Sequence, residues 1–222
     1  MKKYLLIIVA LFFAISVKAQ DSTYFRANEW SSQIEAYHKS DSIKYPEKYQ
    51  ILFVGSSSIR MWKNIESYFP GYPILSRGFG GAWMSDVLYH MQTLVLNYKP
   101  KQIVLYAGEN DLSNGKTPEA LLEDVKTFVR MTDIHLPGVP ILLLSVKPSP
   151  FSSRILNKQH LYNLALSEYA NTKKQLQYID VASILLNDSG IPIDSFYMKD
   201  RLHMQDNAYK EWARIITPYL KK

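Results

Sequence analysis

The amino-acid sequence predicts an α/β fold in which helices cover both faces of a five-stranded parallel sheet. Short apolar runs such as ILFV, QIVLY and ILLLS are continuous rather than alternating, which is typical of strands buried on both faces. Longer segments with helical spacing separate these runs. Strands that alternate with helices in this way indicate right-handed βαβ crossovers and therefore a mainly parallel sheet.

The elements are expected in a regular order along one domain. A polar and aromatic extension comes first and contains one helical stretch, Asn28–Lys39. The predicted strands are Ile51–Val54, Pro73–Leu75, Gln102–Tyr106, Val139–Ser145 and Tyr178–Val181. The helices between and after them are Arg60–Tyr68, Met84–Tyr98, Pro118–Ile134, Leu156–Lys174 and Ala208–Leu220. The pattern leaves the order of the strands within the sheet open.

Composition narrows the class of protein. The chain has 222 residues, of which 47% are apolar and 21% charged, enough for one well-buried core. The absence of cysteine excludes disulfides, thiolate metal sites and a cysteine nucleophile. A formal charge of +6 raises the question of a nucleic acid or an anionic membrane as partner.

The first 19 residues are typical of a secretory signal peptide. Lys2 and Lys3 precede an uncharged, mostly apolar run of 14 residues, 4–17, and a small-residue cleavage site ends at Ala19. The run is shorter than the roughly 20 residues that span a bilayer, although a short uncleaved anchor helix is the alternative. Cleavage would leave residues 20–222 with a charge of +3. We therefore expect a periplasmic or secreted protein with no nucleic-acid partner and no stable membrane insertion.

Two loops that follow predicted strands carry small residues suited to chemistry. Loops after parallel strands converge at the carboxyl edge of the sheet. GSSS at 55–58 makes a tight strand-to-helix turn, where a serine is most often a cap but can also be a nucleophile. GFGG at 78–81 leaves backbone N–H groups uncovered, as an oxyanion site requires. Its spacing does not match the dinucleotide-binding GxGxxG pattern.

Two further loops carry polar side chains. GEND at 108–111 follows the third predicted strand, and its asparagine could donate to a developing oxyanion or simply make a turn. DRLH at 200–203 precedes the last helix. This spacing lets Asp200 accept from Nδ1–H of His203 and leaves Nε2 as a base. His203 is the one histidine of the five that combines an upstream acid with a place at this edge.

As a set, these four blocks resemble those of the SGNH (GDSL-type) hydrolases, from about residue 50 to the C terminus. The acetylhydrolase-like single-domain branch is the most similar. The resemblance implies a flavodoxin-like three-layer sandwich and a carboxylic ester hydrolase without metal or other cofactor. Matched block by block, it implies Ser57, Asp200 and His203 as catalytic residues. It also implies Ser57, Gly81 and Asn110 as the donors of the oxyanion hole.

One position departs from the family pattern. Ser56 stands where these hydrolases have aspartate. A hydroxyl can make some of the same turn hydrogen bonds, so we expect activity to survive. Ser56 and Ser58 remain rival candidates for the nucleophile, with Ser57 preferred.

The expected function is that of an exported serine esterase acting on short-acyl, mainly acetyl, esters. No long apolar lid is visible in the sequence, and export makes acetylated glycans the favoured substrates over other small esters. A lipase or lysophospholipase of the same family is one alternative. A non-catalytic carbohydrate-binding protein, using some of 16 tyrosines and four tryptophans, is another. A metal-dependent hydrolase built on Asp111, Asp200 and His203 lacks the usual HxH or HExxH spacing.

Overall fold

The computed structural model describes residues 30–222, and the predicted signal peptide lies outside them. In this part of the chain, five parallel strands form one sheet in the order β2-β1-β3-β4-β5, the flavodoxin-like order. The strands are β1 (Ile51–Gly55), β2 (Ile74–Gly78), β3 (Gln102–Tyr106), β4 (Ile141–Leu144) and β5 (Leu176–Ile179). The predicted α/β class and the parallel five-stranded sheet are therefore confirmed.

One helix precedes the first strand, and the others lie between the strands and after them. They are α1 (Ser31–Ile43), α2 (Ser57–Arg60), α3 (Met84–Tyr89), α4 (Met91–Leu94), α5 (Glu109–Ser113), α6 (Pro118–His135), α7 (Leu156–Ala170) and α8 (Asp206–Ile216). None of the helices within residues 30–222 is long and apolar enough to cross a membrane.

Two apolar layers cover the two faces of the sheet. Leu52 and Val54 of β1 point into one cluster, which includes Phe128 of α6 and Tyr162 of α7. Their neighbours Ile51 and Phe53 point into the other, which includes Trp212 of α8. Alternate residues of one strand thus reach opposite layers, as the period of two requires. A strand that is buried on both faces needs the continuous apolar run seen in the sequence.

Two predicted helices are interrupted. The helix predicted over 60–68 is wrong: α2 ends at Arg60, and a separate 3₁₀ turn spans Ile65–Tyr68 after Asn64, whose φ is 51°. The helix predicted over 84–98 consists of α3, α4 and a 3₁₀ turn. All of their apolar residues except Tyr89 are buried or partly buried, so the apolar pattern of the sequence looks helical through the breaks.

Register brings three loops to one level of the sheet. Gly55, the last residue of β1, pairs with Gly78 on one side and with Tyr106 on the other. The segments that begin at residues 56, 79 and 107 therefore leave the sheet side by side. They contain three of the four blocks singled out in the sequence.

Helix α1 packs against the carboxyl end of β2. The guanidinium of Arg77, in β2, pairs with Asp41 of α1 at 2.6 Å. It also stacks 4.7 Å and 4.6 Å from the ring centroids of Tyr37 and Tyr98. A buried ion pair of this kind needs hydrogen-bonding partners to offset desolvation, and Tyr98 Oη donates to Asp41 at 2.5 Å.

The close approach at Gly55 leads to a stability prediction. Its φ is +143°, and a Cβ there would lie 1.7 Å from the carbonyl oxygen of Tyr106. We expect Gly55→Ala to lower the free energy of unfolding by more than about 4 kcal/mol or to prevent folding. The matched control is Gly71→Ala, where φ is +83° and the added Cβ would have no atom within 4 Å apart from those of its chain neighbours. This control should cost only about 1–2 kcal/mol. Urea unfolding of both variants measures the difference, and equal losses would contradict the steric argument.

Candidate active site

A chain of three side chains crosses the carboxyl edge of the sheet. Ser57 Oγ lies 3.3 Å from His203 Nε2, and His203 Nδ1 lies 2.7 Å from Asp200 Oδ2. Ser57 is the first residue of α2, which places it directly beyond the end of β1. The structure therefore brings together a hydroxyl, an imidazole and a carboxylate from two distant parts of the chain.

Only one of the three consecutive serines combines solvent access with the imidazole contact. Ser57 is partly exposed, whereas Ser56 and Ser58 are 2% and 3% exposed. The Ser56 N–H donates to Tyr106 O at 2.9 Å, and the Ser58 carbonyl accepts from Tyr209 Oη at 2.9 Å. The two neighbours thus connect the turn to the core of the domain.

The carboxylate of Asp200 is surrounded by donors. Its Oδ1 accepts from the N–H groups of Leu202 and His203, each at 3.0 Å. Partial burial raises the pKa of Asp200, but the hydrogen bonds from the imidazole and from these two N–H groups outweigh it and lower the pKa to about 2. Asp200 is therefore ionised at every pH at which an imidazole can act as a base.

The segment that carries Asp200 and His203 is a closed loop. It lies well beyond β5, after two 3₁₀ turns, rather than directly at the end of that strand. A bridge between Tyr197 and Met204 joins its two ends, and Met198 N–H donates to His203 O at 2.7 Å. Arg201 takes a left-handed φ of 58°. This tight geometry returns His203 to the side of its own acid.

The glycine loop that contains Gly81 is joined to Asn110, in the first turn of α5, by a direct contact. Asn110 Nδ2 donates to the carbonyl of Ala82 at 2.9 Å. Since the amide nitrogen carries two hydrogens, this bond uses one of them and orients the other. Gly81 has a φ of +66°, a conformation that favours glycine.

Asp111 holds the end of the same glycine loop, at the start of α3. Its fully buried carboxylate accepts from Met84 N–H and from Lys116 Nζ, both at 3.0 Å. Burial raises the pKa of Asp111, and the charge of Lys116 only partly offsets this. Among residues 30–222 no group of three His, Asp or Glu side chains is arranged to hold a metal ion. Asp111 thus serves the loop and does not join Asp200 and His203 in a ligand set.

Helix α1 supplies contacts that the sequence analysis missed. Gly80 N–H donates to Gln33 Oε1 at 2.9 Å, and Tyr37 Oη donates to the Gly78 carbonyl. The indole of Trp30 lies against Gly81, where a Cβ would come within 2.8 Å of the ring. No sequence motif marks these residues, because they precede the four blocks and act through long-range contacts.

A buried ion pair was also missed. Lys147 and Glu109 are 1% and 6% exposed, and Lys147 Nζ lies 2.9 Å from Glu109 Oε2. The available signal was a lysine placed directly after the apolar run ILLLSV, since lysine is rarely buried without a partner. Glu109 directly precedes Asn110 in α5, so the ion pair lies next to a candidate site residue.

Comparisons with known proteins agree with this architecture. Residues 54–211 match the model of the GDSL-like Lipase/Acylhydrolase family. A search of curated proteins gives no match.

Three solved structures illustrate the shared fold. A Streptococcus pneumonia protein named for platelet activating factor is 20% identical, with a TM-score of 0.79 over 89% of this chain and 95% of that one. A GDSL-like lipase from Bacteroides thetaiotaomicron is 16% identical, with a TM-score of 0.73 over 85% and 97%. An acetylxylan esterase from Geobacillus stearothermophilus, solved as a catalytic mutant, is 12% identical, with a TM-score of 0.61 over 78% and 94%.

At these identities the structural similarity shows the fold alone. The family model, in contrast, covers most of the chain and includes the candidate site residues of all four blocks. The chain therefore belongs to the GDSL-like lipase/acylhydrolase family, the SGNH hydrolases, and is a carboxylic ester hydrolase.

Proposed function

We propose that this hydrolase is an exported serine esterase that removes short acyl groups, mainly acetyl, from carbohydrate esters. Ser57 is the nucleophile, His203 the general base and Asp200 the acid that orients it. Ser57, Gly81 and Asn110 provide the oxyanion hole. The observation that carries the proposal is the continuous contact from Ser57 Oγ through His203 to Asp200.

The first half of the reaction forms an acyl-enzyme. Ser57 Oγ attacks the ester carbonyl while His203 Nε2 takes the hydroxyl proton. The ionised Asp200 stabilises the resulting imidazolium and fixes the tautomer that leaves Nε2 free to accept. As the tetrahedral intermediate collapses, the imidazolium gives its proton to the leaving alcohol.

Water then completes the reaction. It takes the place of the alcohol, loses a proton to His203 Nε2 and attacks the acyl-enzyme carbonyl. Collapse of the second intermediate returns the proton to Ser57 Oγ and releases the acid. Each proton that leaves a nucleophile thus passes through the same imidazole nitrogen, and the protein ends unchanged.

Negative charge on the carbonyl oxygen requires donors in both halves. Ser57 begins a helix, where the first N–H groups have no intrahelical partner. The second hydrogen of Asn110 Nδ2 and the N–H of Gly81 are the further donors. Their relative position is set by the Asn110–Ala82 hydrogen bond, so the donors are in place before charge develops, as electrostatic catalysis requires.

The preference for short acyl groups is supported by Trp30. Its indole packs against Gly81, and its Nε1 donates to Asp86 at 3.1 Å. The ring is thereby fixed beside an oxyanion donor, where it limits the depth open to an acyl chain. We assign Trp30 to the wall of the acyl site.

The proposals that the substrate is a carbohydrate ester and that the enzyme is exported have their own support. Trp83 is partly exposed at this edge and offers an aromatic face of the kind that sugars stack on. An acetylxylan esterase shares the fold. The signal-peptide pattern of residues 1–19 supports export, and an exported enzyme would meet extracellular glycans. Acetate release from acetylated xylan, compared with 4-nitrophenyl acetate, tests this substrate class.

The choice of nucleophile is tested by active-site labelling. A fluorophosphonate probe should label the wild type and should fail to label Ser57→Ala. Ser56→Ala and Ser58→Ala are the matched controls and should retain labelling at a temperature where circular dichroism shows them folded. If labelling persists in Ser57→Ala and disappears in one of the controls, the nucleophile is the serine replaced in that control and not Ser57.

The oxyanion role of Asn110 predicts a loss confined to turnover. Asn110→Ala should lower kcat by about 10²–10³-fold, the usual effect of removing one oxyanion donor. Asn171→Ala is the control, since Asn171 is exposed and follows the end of α7, away from Asn110. Its kcat should stay within about 3-fold of wild type. Near-normal kcat in Asn110→Ala would remove that side chain from the oxyanion hole.

The acyl-wall role of Trp30 predicts a change in chain-length preference. On 4-nitrophenyl esters from C2 to C12, the wild type should prefer C2. Trp30→Ala should raise the C8-to-C2 ratio of kcat/KM by about 10-fold, because the space of several methylenes is released. Tyr45→Ala removes an aromatic ring that is 51% exposed and should leave the ratio unchanged. A wild type that prefers C8 or longer esters would contradict the short-acyl proposal.

A further inference from the structure

A buried lysine contacts the loop that carries His203. Lys147 Nζ donates to the carbonyl oxygen of Leu202 at 2.8 Å. The same nitrogen lies 2.9 Å and 3.1 Å from the two carboxylate oxygens of Glu109. Its three hydrogens are therefore directed at two partners, one on each side of the site.

The Leu202 carbonyl belongs to the peptide group that enters His203. At the other end of this peptide group, the His203 N–H donates to Asp200 Oδ1 at 3.0 Å. One peptide plane is thus bound on both sides, by Asp200 at its N–H and by Lys147 at its oxygen. Because that plane leads directly into Cα of His203, it sets the direction in which the imidazole leaves the backbone.

The segment that follows β4 makes further contacts with the same loop. Tyr197 Oη donates to the Pro148 carbonyl at 2.6 Å, and Phe151 N–H donates to Arg201 O at 3.0 Å. The loop itself has no helix or strand from residue 197 to 203 apart from its closing bridge. The position of this loop therefore depends on its hydrogen bonds to the segment that follows β4.

Glu109 connects this arrangement to the oxyanion side. It precedes Asn110 in α5, and its Oε2 accepts from Tyr106 Oη at 3.2 Å. Burial of a lysine ammonium requires a nearby counter-charge, and Glu109 supplies it. Glu109 thus neutralises the ammonium that reaches Leu202, and it does so next to Asn110.

We propose that Lys147 is a positioning residue that sets the orientation of His203 through the Leu202 carbonyl, with Glu109 as its counter-charge. The proposal rests on the proposed function of Ser57 and His203. The Ser57–His203 distance of 3.3 Å is near the limit of a hydrogen bond. A displacement of the imidazole by about 1 Å can cost about 10²-fold in rate.

Three variants separate positioning from stability. Lys147→Met leaves Glu109 as an unpaired buried charge and removes the donor to Leu202. Glu109→Gln unbalances the charge but keeps that donor. Lys147→Met together with Glu109→Gln restores electrical neutrality and still lacks the donor. Lys173→Met is the control for losing a lysine–carboxylate pair elsewhere, since Lys173 pairs with Asp133 at 2.8 Å.

Melting temperature should then depend on the charge balance between Lys147 and Glu109, whereas kcat should depend on the donor from Lys147 to Leu202. Tm should fall in both single variants and recover in the double variant. At a temperature where all are folded, kcat should fall by about 10²-fold in Lys147→Met and in the double variant, with KM within about 3-fold of wild type. Glu109→Gln and Lys173→Met should keep kcat within about 3-fold. Recovery of kcat in the double variant, or an equal loss in Glu109→Gln, would overturn the proposal.

A spectroscopic measurement tests the same point without reference to activity. The Nδ1–H proton of His203, bonded to Asp200, should give a downfield NMR resonance that is absent in His203→Gln. This resonance should be retained in Glu109→Gln and be shifted or lost in Lys147→Met and in the double variant. An unchanged resonance in all variants would overturn the positioning role. A wild type without esterase activity would instead contradict the proposed function, and the resonance would still decide the role of Lys147.

Discussion

The site depends on how closely β1 and β3 approach at their carboxyl ends. Gly55 has no Cβ, and the Tyr106 carbonyl occupies the space where one would lie, 1.7 Å away. This approach lets Tyr106 O accept the Ser56 N–H at 2.9 Å, which turns the chain sharply into α2. Ser57 therefore lies directly beyond the end of β1. The adjacent loops leave the sheet at the same level, so the distances within the site follow from this register.

Buried charge then secures two of the loops at this edge. Lys116 neutralises Asp111, which holds the start of α3 after the glycine loop. Lys147 neutralises Glu109 and reaches the histidine loop. Buried ion pairs add little net stability when compared with apolar packing. They are directional, however, and a loop of irregular backbone needs directional partners to keep one conformation.

The sequence predicted the third strand to the residue and the others to within a few residues. Continuous apolar runs have one physical cause, burial on both faces of a parallel sheet. The breaks after Arg60 and Tyr89 were not predicted, because the apolar pattern continues across them. Apart from Tyr89, the apolar residues on both sides of each break are buried or partly buried. The contacts of Trp30 and Gln33 were not predicted either, since packing between distant segments leaves no local spacing to read.

The sequence by itself determined the α/β class, the alternation of strands and helices, and the four blocks that contain the candidate site residues. These features follow from periodicity and from the rule that loops after parallel strands share one edge. Only the tertiary structure decided which of three adjacent serines faces His203, how the strands are ordered, and that Lys147 and α1 contact the site loops. Such outcomes depend on the direction of each side chain and on long-range contacts, which the local sequence does not encode.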